Sequence, residues 1–530
     1  MTEFSPKSTL IAYCTDVEGN WDYWNRYIAL SKALNRNEGG RLSLNDNFCF
    51  VYGGDVCDRG PGDLRLLNDL NNLNDDYPGR VYFIFGNRDV NKMRIPMELH
   101  HTHLLRAGEV YWTSAKSDAG ESAVDRLKYI LTKTMASPSG FKYRQEELRI
   151  LGKPHTDEDV VKSYLEQIDG PKSPLMRYLL HAVVAVHFGD VLFCHGGINS
   201  SNLSWLPPRS PHLQCQGSQQ SSVFLTPGPS GGELCNNIHD WIEEANRRAK
   251  EELYDFMNRG QEYRHSLTTA YEPHWGAVGN YEHKQPGSRL GYLGMAMIAG
   301  PGPMSAVNPS IIYASYIRDG MPANIDPSVT RALQAAGVNR IVVGHQPHGD
   351  APTTIQQHGM QIFMGDTSYS AGTLWSGGGP PTDSKMPQAA HRSQCDDWHK
   401  YEPHELSSSE LGLLSSPIDV DNTRGVTVSE ILVEVPSIDA AWGVRSAIHM
   451  HGILSDGSVY DFTVPEASSN SSYIGMMNAS KTWMVKAHNV RVRNGPFKGR
   501  CDMYLLSRGE GYTFKNKFVS PENIEEEMMT

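Results

Sequence analysis

Five short polar clusters along the chain carry side chains that divalent cations and phosphate groups bind in proteins. Carboxylate, amide and imidazole groups are hard or borderline ligands of divalent ions, and an arginine can bind two oxygens of one phosphate at once. A glycine within each cluster suits a tight turn in which the backbone passes close to a bound ion or anion. These residue types predict a site that binds divalent metal ions and phosphate. The clusters are DVEGN at 16–20, GDVCDRG at 54–60, GNRD at 86–89, HGG at 195–197 and GHQPH at 344–348.

Each cluster begins where an apolar run ends, and the first three runs alternate with amphipathic stretches. We predict buried strands at TLIAYC (9–14), FCFVYG (48–53) and VYFIFG (81–86), while the stretches 21–36 and 62–75 carry apolar residues near helical spacing. This βαβαβ pattern favours parallel strands with crossover helices, and therefore an α/β fold. Because sites in such sheets gather at the carboxyl ends of the strands, we expect the clusters to meet there.

Two later apolar segments extend this strand prediction. Residues 183–196 (VVAVHFGDVLFCHG) indicate a two-stranded hairpin that turns at Gly189-Asp190, and residues 340–345 (RIVVGH) indicate a further strand. Each segment ends on a histidine, His195 in the first and His345 in the second. Both imidazoles are therefore expected at strand ends as well.

The whole chain is expected to divide into three parts. Residues 1–375 are assigned to a catalytic domain, with a mainly helical insertion at about 96–182 and a second insertion at about 200–330. Residues 376–424 contain GGGPP and SSSELGLLSS, and these compositions are typical of a linker. Residues 425–530 contain several apolar, β-branched runs that predict a strand-rich C-terminal region.

Composition and charge narrow the class of protein. The chain of 530 residues is 39% hydrophobic and 20% charged, as folded globular proteins are. Its net charge of −12 argues against nucleic acid or an anionic membrane as a partner. The beginning of the chain, MTEFSPKSTL, has no apolar leader segment, so a cytoplasmic protein is the expectation. Cys14, Cys49 and Cys194 lie in apolar runs and are expected to be buried free thiols.

The order of the clusters and their residue sequences resemble the motifs of the calcineurin-like metallophosphoesterases, and within them those of the phosphoprotein-phosphatase branch. That branch is marked by a D-x-H opening, G-D-x-x-D-R-G, G-N-H-E, H-G-G and a late G-H, and the likeness covers residues 9–375. The later stretch MGDTSYSAGTL (364–374) is also similar to bacterial-type members and to diadenosine tetraphosphate hydrolases. The resemblance implies a calcineurin-like fold, in which β-sheets are flanked by helices.

The resemblance also implies two divalent metal ions. Manganese is the ion we expect, with magnesium, iron or zinc as alternatives. Asp55 would bridge the two ions at a separation of roughly 3.5–4 Å, and a hydroxide shared between them would attack phosphorus. Arg59 would contact the phosphate. The implied ligands of the first ion are Asp16, Glu18 and Asp55, and those of the second are Asp55, Asn87, His195 and His345.

Two residues depart from the family pattern. Glu18 stands where the family has a histidine, which keeps a ligand but adds a negative charge and suits harder ions such as Mn²⁺ or Mg²⁺. Arg88 stands where the family has the histidine that is thought to protonate the leaving group, beside Asp58. A guanidinium stays protonated and cannot act as a general acid, but it can pair with Asp58 and bind phosphate. Loss of the general acid should slow the hydrolysis of esters with poor leaving groups by roughly 10²–10⁴.

His348 lies three residues after His345 and could be an additional metal ligand, a substrate contact or an ordinary loop residue. We assign it to substrate binding together with Arg59 and Arg88. The leading hypothesis is a two-metal phosphatase that acts on a phosphoprotein or a small phosphate ester. A nucleotide or dinucleoside-polyphosphate hydrolase is the alternative, and a catalytically silent binding module is the third hypothesis. The expected partner is a phosphorylated substrate, and no oligomeric state is assigned.

Overall fold

A computed structural model describes most of the chain. The described residues are 8–104, 122–206, 233–266, 310–318, 321–367, 427–454, 456–467, 473–493, 495–510 and 513–530. The expected linker at 376–424 lies outside them, as do large parts of the second insertion.

The described part of the chain forms two principal β-sheets with helices against them. The larger sheet has ten strands in the order β21-β20-β19-β18-β17-β16-β1-β4-β5-β6, and the smaller has five in the order β14-β15-β13-β8-β7. Three further two-stranded pairs are β2-β3, β9-β10 and β11-β12. The strands are β1 (Thr9–Cys14), β2 (Leu34–Arg36), β3 (Leu42–Leu44), β4 (Phe48–Tyr52), β5 (Val81–Ile84), β6 (Ala182–Val183), β7 (Ala185–Phe188), β8 (Val191–Cys194), β9 (Trp205–Leu206), β10 (Glu233–Leu234), β11 (Ile317–Arg318), β12 (Met321–Pro322), β13 (Arg340–Val343), β14 (Thr353–Gln357), β15 (Met360–Met364), β16 (Val428–Val435), β17 (Ala447–Ile453), β18 (Val459–Thr463), β19 (Met484–Arg491), β20 (Met503–Glu510) and β21 (Thr513–Val519).

The helices connect these strands or lie in the segment between β5 and β6, except for the last one, which follows β21. Short 3₁₀ turns occur at Lys92–Arg94 and Gly495–Phe497, and one turn of π-helix occurs at Ile130–Thr134. The α-helices are α1 (Trp21–Leu30), α2 (Asp63–Asp76), α3 (Asn87–Asn91), α4 (Ile95–Glu98), α5 (His101–Leu104), α6 (Ala123–Tyr129), α7 (Gly140–Ile150), α8 (Asp157–Glu166), α9 (Pro174–His181), α10 (Ile238–Ser266), α11 (Pro327–Ala335) and α12 (Ile524–Met529).

The first three predicted strands form the parallel centre of the larger sheet. β1 pairs with β4, and β4 with β5, all in parallel register. Helices α1 and α2 connect them, which confirms the expected α/β pattern. The predicted helix at 21–36 is shorter than expected, because it ends at Leu30 and Leu34–Arg36 is a strand. Ser31 ends the helix, and its hydroxyl accepts hydrogen bonds from the backbone N–H groups of Ala33 and Leu34.

The predicted hairpin and the later strand build the smaller sheet. β7 and β8 pair antiparallel, and Phe188 faces Val191 across the turn at Gly189-Asp190. β13 lies parallel to β8 on one side and to β15 on the other. The carboxyl ends of β8 and β13 are therefore neighbours, and they carry His195 and His345.

The C-terminal strands continue the larger sheet. β16 pairs antiparallel with β1 from Thr9↔Val435 to Tyr13↔Ile431, so it lies on the opposite side of β1 from β4. The following strands extend the sheet outward to β21. Apolar residues of both regions share one core cluster, which includes Ile11, Val51 and Val485. The division into 1–375, 376–424 and 425–530 stays a prediction, but strands of the first and last parts are hydrogen-bonded in one sheet.

The insertion at about 96–182 is helical where the structure describes it. Its helices have their own apolar cluster, which includes Ile95, Leu127, Leu148 and Tyr164. Residues 105–121 of this insertion lie outside the described residues. The expected buried free thiols at Cys14, Cys49 and Cys194 are confirmed.

Candidate metal centre

Five loops at the carboxyl ends of β1, β4, β5, β8 and β13 carry the predicted ligands. Asp16 follows β1, Asp55 follows β4, Asn87 follows β5, His195 follows β8 and His345 follows β13. Backbone hydrogen bonds join the loops, since Asp16 N donates to Gly54 O at 3.0 Å and Gly344 N donates to His195 O at 2.9 Å. The two sheets therefore present their loops to a common site.

Four of the six predicted ligands have a left-handed backbone conformation, which is uncommon for residues other than glycine. Their φ angles are 53° at Asp16, 51° at Glu18, 58° at Asp55 and 73° at His345. Such conformations cost free energy, and they cluster at functional sites where the surrounding structure holds them. The loops are thus shaped to direct these side chains at the expense of local backbone stability.

One half of the site, the imidazole half, consists of Asp55, Asn87, His195 and His345. Asn87 Oδ1 lies 3.0 Å from His195 Nε2 and 3.0 Å from His345 Nδ1. His195 Nε2 is 3.4 Å from Asp55 Oδ1. His195 Nδ1 is 2.7 Å from Gly53 O, a contact that orients the ring as outer contacts of metal-binding histidines do.

The other half, the carboxylate half, consists of Asp16, Glu18 and Asp55. One ligand atom from each lies within 4.8 Å of the others, and the same holds for Asp55, His195 and His345. Asp55 is the member common to both groups. The backbone N–H of His345 donates to Asp16 Oδ1 at 3.1 Å and to Oδ2 at 3.0 Å, which ties the two halves together.

The donor set fits divalent ions. Among the described residues, the buried His345 Nε2 has no hydrogen-bonding partner, as an imidazole nitrogen reserved for a ligand would be. Asp16, Glu18 and Asp55 are at most 3% exposed. Buried carboxylates at such close quarters require nearby cations. The mixture of oxygen and imidazole donors suits ions between the hard and borderline classes.

Without a metal ion, protonation of His195 compensates the charge of the imidazole half. Burial alone would lower the pKa of His195, but Asp55 and Asp16 outweigh it and raise that pKa to about 10. Burial alone would raise the pKa of Asp55, and the charge and hydrogen bond of His195 instead hold it well below its usual range. Burial and the neighbouring His195 lower the pKa of His345 to about 3. Binding of an ion here must therefore release the His195 proton.

In the carboxylate half, arginines compensate the charge. Arg88 Nε lies 2.7 Å from Glu18 Oε1 and 3.6 Å from Asp55 Oδ2. Arg59 Nε lies 3.5 Å from the other Glu18 oxygen. The structure thus brings Arg59 and Arg88, which we predicted to bind phosphate, to the edge of the metal centre.

Lys92 is a buried cation of this site that sequence reasoning missed. Its Nζ lies 2.6 Å from Asp58 Oδ2 and donates to Arg88 O at 3.0 Å, and its side chain is fully buried. Arg88 Nη1 is farther from the same Asp58 oxygen, at 3.5 Å. Lys92 follows Arg88 by one helical turn, a spacing that could have indicated it. The principal partner of Asp58 is therefore Lys92, and the principal partner of Arg88 is Glu18.

Asp89 is a second residue that the sequence reasoning did not assign. Its carboxylate accepts hydrogen bonds from the backbone N–H groups of Gly86, Asp55 and Val56 at 2.8–3.0 Å. Burial, and then the charge of Asp55, raise the pKa of Asp89 to about 7. Its contacts hold the Asp55 loop against the Asn87 loop, so Asp89 positions the bridging carboxylate.

The helical insertion contacts residues that lie beside the carboxylate half. Arg88 Nη1 donates to Met135 O at 2.9 Å, and Ser137 Oγ donates to Asp58 O at 2.6 Å. Arg144 Nη2 donates to Asp63 Oδ2 at 2.9 Å, while the other Asp63 oxygen accepts from the Asp58 backbone. The insertion therefore supports the loop that carries Asp58 and Arg59.

His348 has contacts with the C-terminal strands. Its side chain is 5% exposed, with Nδ1 3.2 Å from Thr353 Oγ1 and 2.6 Å from Lys486 Nζ. Burial lowers the pKa of Lys486 well below its ordinary value. The groups of three or more residues able to hold an ion in the described part of the chain do not include His348. Its assignment to substrate binding stays a prediction.

The sequence matches the family model of the calcineurin-like phosphoesterases over residues 9–349. The chain belongs to this family. The match confirms the resemblance inferred from the clusters, and the two sheets with flanking helices agree with the fold it implied. A comparison with curated protein sequences gives no match.

Solved structures similar to this chain include two kinds of protein phosphatase. A cold-active protein tyrosine phosphatase shares 13% identity at a TM-score of 0.35, covering 88% of this chain and 82% of its own. The cold-active protein-tyrosine phosphatase of a psychrophilic Shewanella species shares 12% identity at a TM-score of 0.33, with coverage of 87% and 83%. A protein serine/threonine phosphatase from Saccharomyces cerevisiae with similarity to human phosphatase PP5 shares 10% identity at a TM-score of 0.32, with coverage of 88% and 83%.

Family membership supports phosphoester hydrolysis as the activity and divalent ions as cofactors. The groups Asp16-Glu18-Asp55 and Asp55-His195-His345 could hold such ions. Phosphorylated molecules are the substrates that this family implies. Among the helices of the described residues, none has the length and apolar character needed to cross a membrane.

Proposed function

We propose that this protein is a phosphatase that uses two divalent metal ions to hydrolyse phosphate monoesters. The observation that carries the proposal is the shared carboxylate: Asp55 belongs to both groups of close ligand atoms. Asp16 and Glu18 would complete the ligands of one ion, and Asn87, His195 and His345 those of the other. When bound, the ions would polarise the phosphoryl oxygens and lower the pKa of a coordinated water. Manganese is the ion we expect.

The protein's own groups would bind and orient the substrate. Arg59 and Arg88 can each donate two N–H bonds to phosphoryl oxygens, which stabilises charge that develops there in the transition state. His195 is held by Gly53 O and by Asp55, so its ring is oriented before an ion binds. Asp89 holds the Asp55 loop in place through two backbone hydrogen bonds, from Asp55 and Val56, and accepts a third from Gly86 of its own loop.

The residues around Asp58 favour substrates with good leaving groups. In the family pattern Asp58 would pair with a histidine that donates a proton, whereas here it lies 2.6 Å from the ammonium of Lys92. Arg88 cannot supply the proton. Aryl phosphates depend less on such a donor than seryl phosphates do. Phosphoanhydrides also have good leaving groups, so a nucleotide or dinucleoside-polyphosphate hydrolase is the second candidate.

One assay separates these candidates. The purified chain, loaded with Mn²⁺ and with its metal content measured, would be given p-nitrophenyl phosphate, a phosphoseryl peptide and diadenosine tetraphosphate. Turnover of the first substrate at a far higher rate than the second supports the proposal, and preference for the third supports the alternative. Lack of turnover of all three with metal bound would leave the binding-module hypothesis.

A cytoplasmic location rests on the sequence alone and stays a prediction. The same is true of the three-part division of the chain and of substrate binding by His348.

A further inference from the structure

Both guanidinium groups that we expect to bind phosphate lie within ion-pair distance of one carboxylate. Glu18 Oε1 lies 2.7 Å from Arg88 Nε, and Glu18 Oε2 lies 3.5 Å from Arg59 Nε. The three side chains are 4%, 10% and 11% exposed, in the order Glu18, Arg88 and Arg59. A phosphate that approaches these arginines must therefore compete with a buried ion pair rather than with water.

Glu18 is at the same time a member of the carboxylate half of the metal centre. One of its oxygens lies within 4.8 Å of ligand atoms of Asp16 and Asp55. The carboxylate has two oxygens and one charge, and it cannot compensate two arginines and a divalent ion equally. Its position between the ion ligands and the arginines makes the two interactions compete.

We infer that Glu18 exchanges partners between the arginines and a divalent ion, and so couples metal binding to phosphate binding. In the metal-free protein it holds Arg59 and Arg88. With its charge taken up by an ion beside Asp16 and Asp55, Glu18 releases the two guanidinium groups to phosphoryl oxygens. This inference rests on the proposed function, since it assigns a role to the same centre.

The surrounding contacts allow Arg88 to change partner without leaving the site. Arg88 Nη1 donates to Met135 O at 2.9 Å, an anchor that does not involve Glu18. Asp58 has its own cation in Lys92 and does not require Arg88. Arg59 is held through its backbone, whose N–H donates to Glu18 O at 2.7 Å. Arg88 can therefore lose Glu18 while its Nη1 stays on Met135 O, and the Arg59 side chain can turn toward phosphate while its backbone stays in place.

The two departures from the family pattern thus act as one unit. A glutamate in place of the first histidine adds a negative charge, and an arginine in place of the later histidine adds a positive charge beside it. Coupling of this kind is reciprocal, so phosphate must strengthen metal binding by the same factor as metal strengthens phosphate binding.

Calorimetry of inorganic phosphate binding to chelator-treated, metal-free protein tests the exchange. Glu18→Gln removes the charge that holds the arginines and keeps the shape of the side chain. We expect metal-free Glu18→Gln to bind phosphate at least about tenfold more tightly than the metal-free wild type. Asp16→Asn is the matched control, because it removes one charge from the same half at a residue that accepts hydrogen bonds from Thr15 and from the His345 backbone. That variant should differ from the wild type by less than about threefold.

The outcomes distinguish this inference from the proposed function. Wild-type protein with Mn²⁺ that binds phosphate, together with metal-free Glu18→Gln that binds it no better than wild type, overturns the exchange and leaves the function standing. An equal gain in Asp16→Asn also overturns it, since charge removal alone would then explain the effect. Failure of the Mn²⁺-loaded wild type to bind phosphate overturns both.

A second variant covers the case in which Glu18→Gln does not fold. Arg88→Met removes one competing cation from Glu18, so Mn²⁺ should bind the phosphate-free variant at least about fivefold more tightly than the wild type. Lys162→Met, at an exposed lysine on α8, is the control for loss of one positive charge. Unchanged Mn²⁺ affinity in Arg88→Met would contradict the exchange.

Discussion

The two halves of the candidate metal centre compensate the same kind of charge in different ways. In the imidazole half a single carboxylate, Asp55, is compensated by a proton on His195. In the carboxylate half Asp16 and Glu18 add two negative charges, and Arg59 and Arg88 form ion pairs with Glu18. A proton is released into solution when an ion binds, whereas a guanidinium remains in the site and can take another partner. The imidazole half should therefore respond to pH, and the carboxylate half to phosphate.

The largest expected effect removes the residue that both halves share. Asp55→Asn should abolish binding of both ions and lower phosphatase activity by at least about 10³, because the bridging charge is lost. Metal content by mass spectrometry and turnover of p-nitrophenyl phosphate measure this. Asp46→Asn at an exposed position is the control. Full metal content and near-normal turnover in Asp55→Asn would contradict the shared-ligand arrangement.

Loss of one imidazole should separate the halves. His195→Ala removes a ligand of the imidazole half only, so we expect metal content to fall from two ions to one and activity to fall by about 10². The exposed His155 provides the control variant His155→Ala. Loss of both ions in His195→Ala would show that the halves do not load independently.

The pH dependence should distinguish the two halves next. The pKa of His195 in the folded metal-free protein is about 10, against an ordinary value of 6.5. Below pH 10 an ion must displace the proton, so its affinity for the imidazole half should rise about tenfold per pH unit between pH 6 and 8. The stabilisation from protonated His195 is complete below pH 6.5 and is lost as the pH rises through 10. The metal-free protein should therefore have a lower melting temperature near pH 10 than near pH 6.5.

Mn²⁺ titrations at several pH values and thermal melting of chelated protein measure these effects. In His195→Ala the steep rise in affinity should disappear. An affinity of the wild type that is independent of pH would argue against a proton held between His195 and Asp55.

The smallest effect concerns the insertion that supports the loop of Asp58 and Arg59. Ser137→Ala removes the hydrogen bond that Ser137 Oγ donates to Asp58 O, so the buried Asp58 carbonyl loses this partner. We expect a loss of about 1–3 kcal/mol in the free energy of unfolding and a fall of only a few-fold in activity. Denaturant unfolding and turnover measure the two quantities. Ser122→Ala in the same insertion, at an exposed helix cap, controls for the loss of a serine hydroxyl.

Much of the fold and of the candidate site could be predicted because short, local patterns of residues in the sequence indicate them. The strands that precede Asp16, Asp55 and Asn87 are short apolar runs, and their parallel pairing follows from the helices between them. Other features depend on distant parts of the chain. The pairing of β16 with β1 joins segments more than 400 residues apart. The pattern of apolar and polar residues within either strand does not indicate which strand it pairs with.

By itself, the sequence determined the residue types, their order and their positions at the ends of strands. Only the tertiary structure decided which charges meet. From the motif, Arg88 was expected to pair with Asp58, yet Lys92 is the closer partner of Asp58 and Glu18 the closer partner of Arg88. The reason is physical: the strength of an ion pair depends on separation and burial, and both are set by how the loops of different strands pack together.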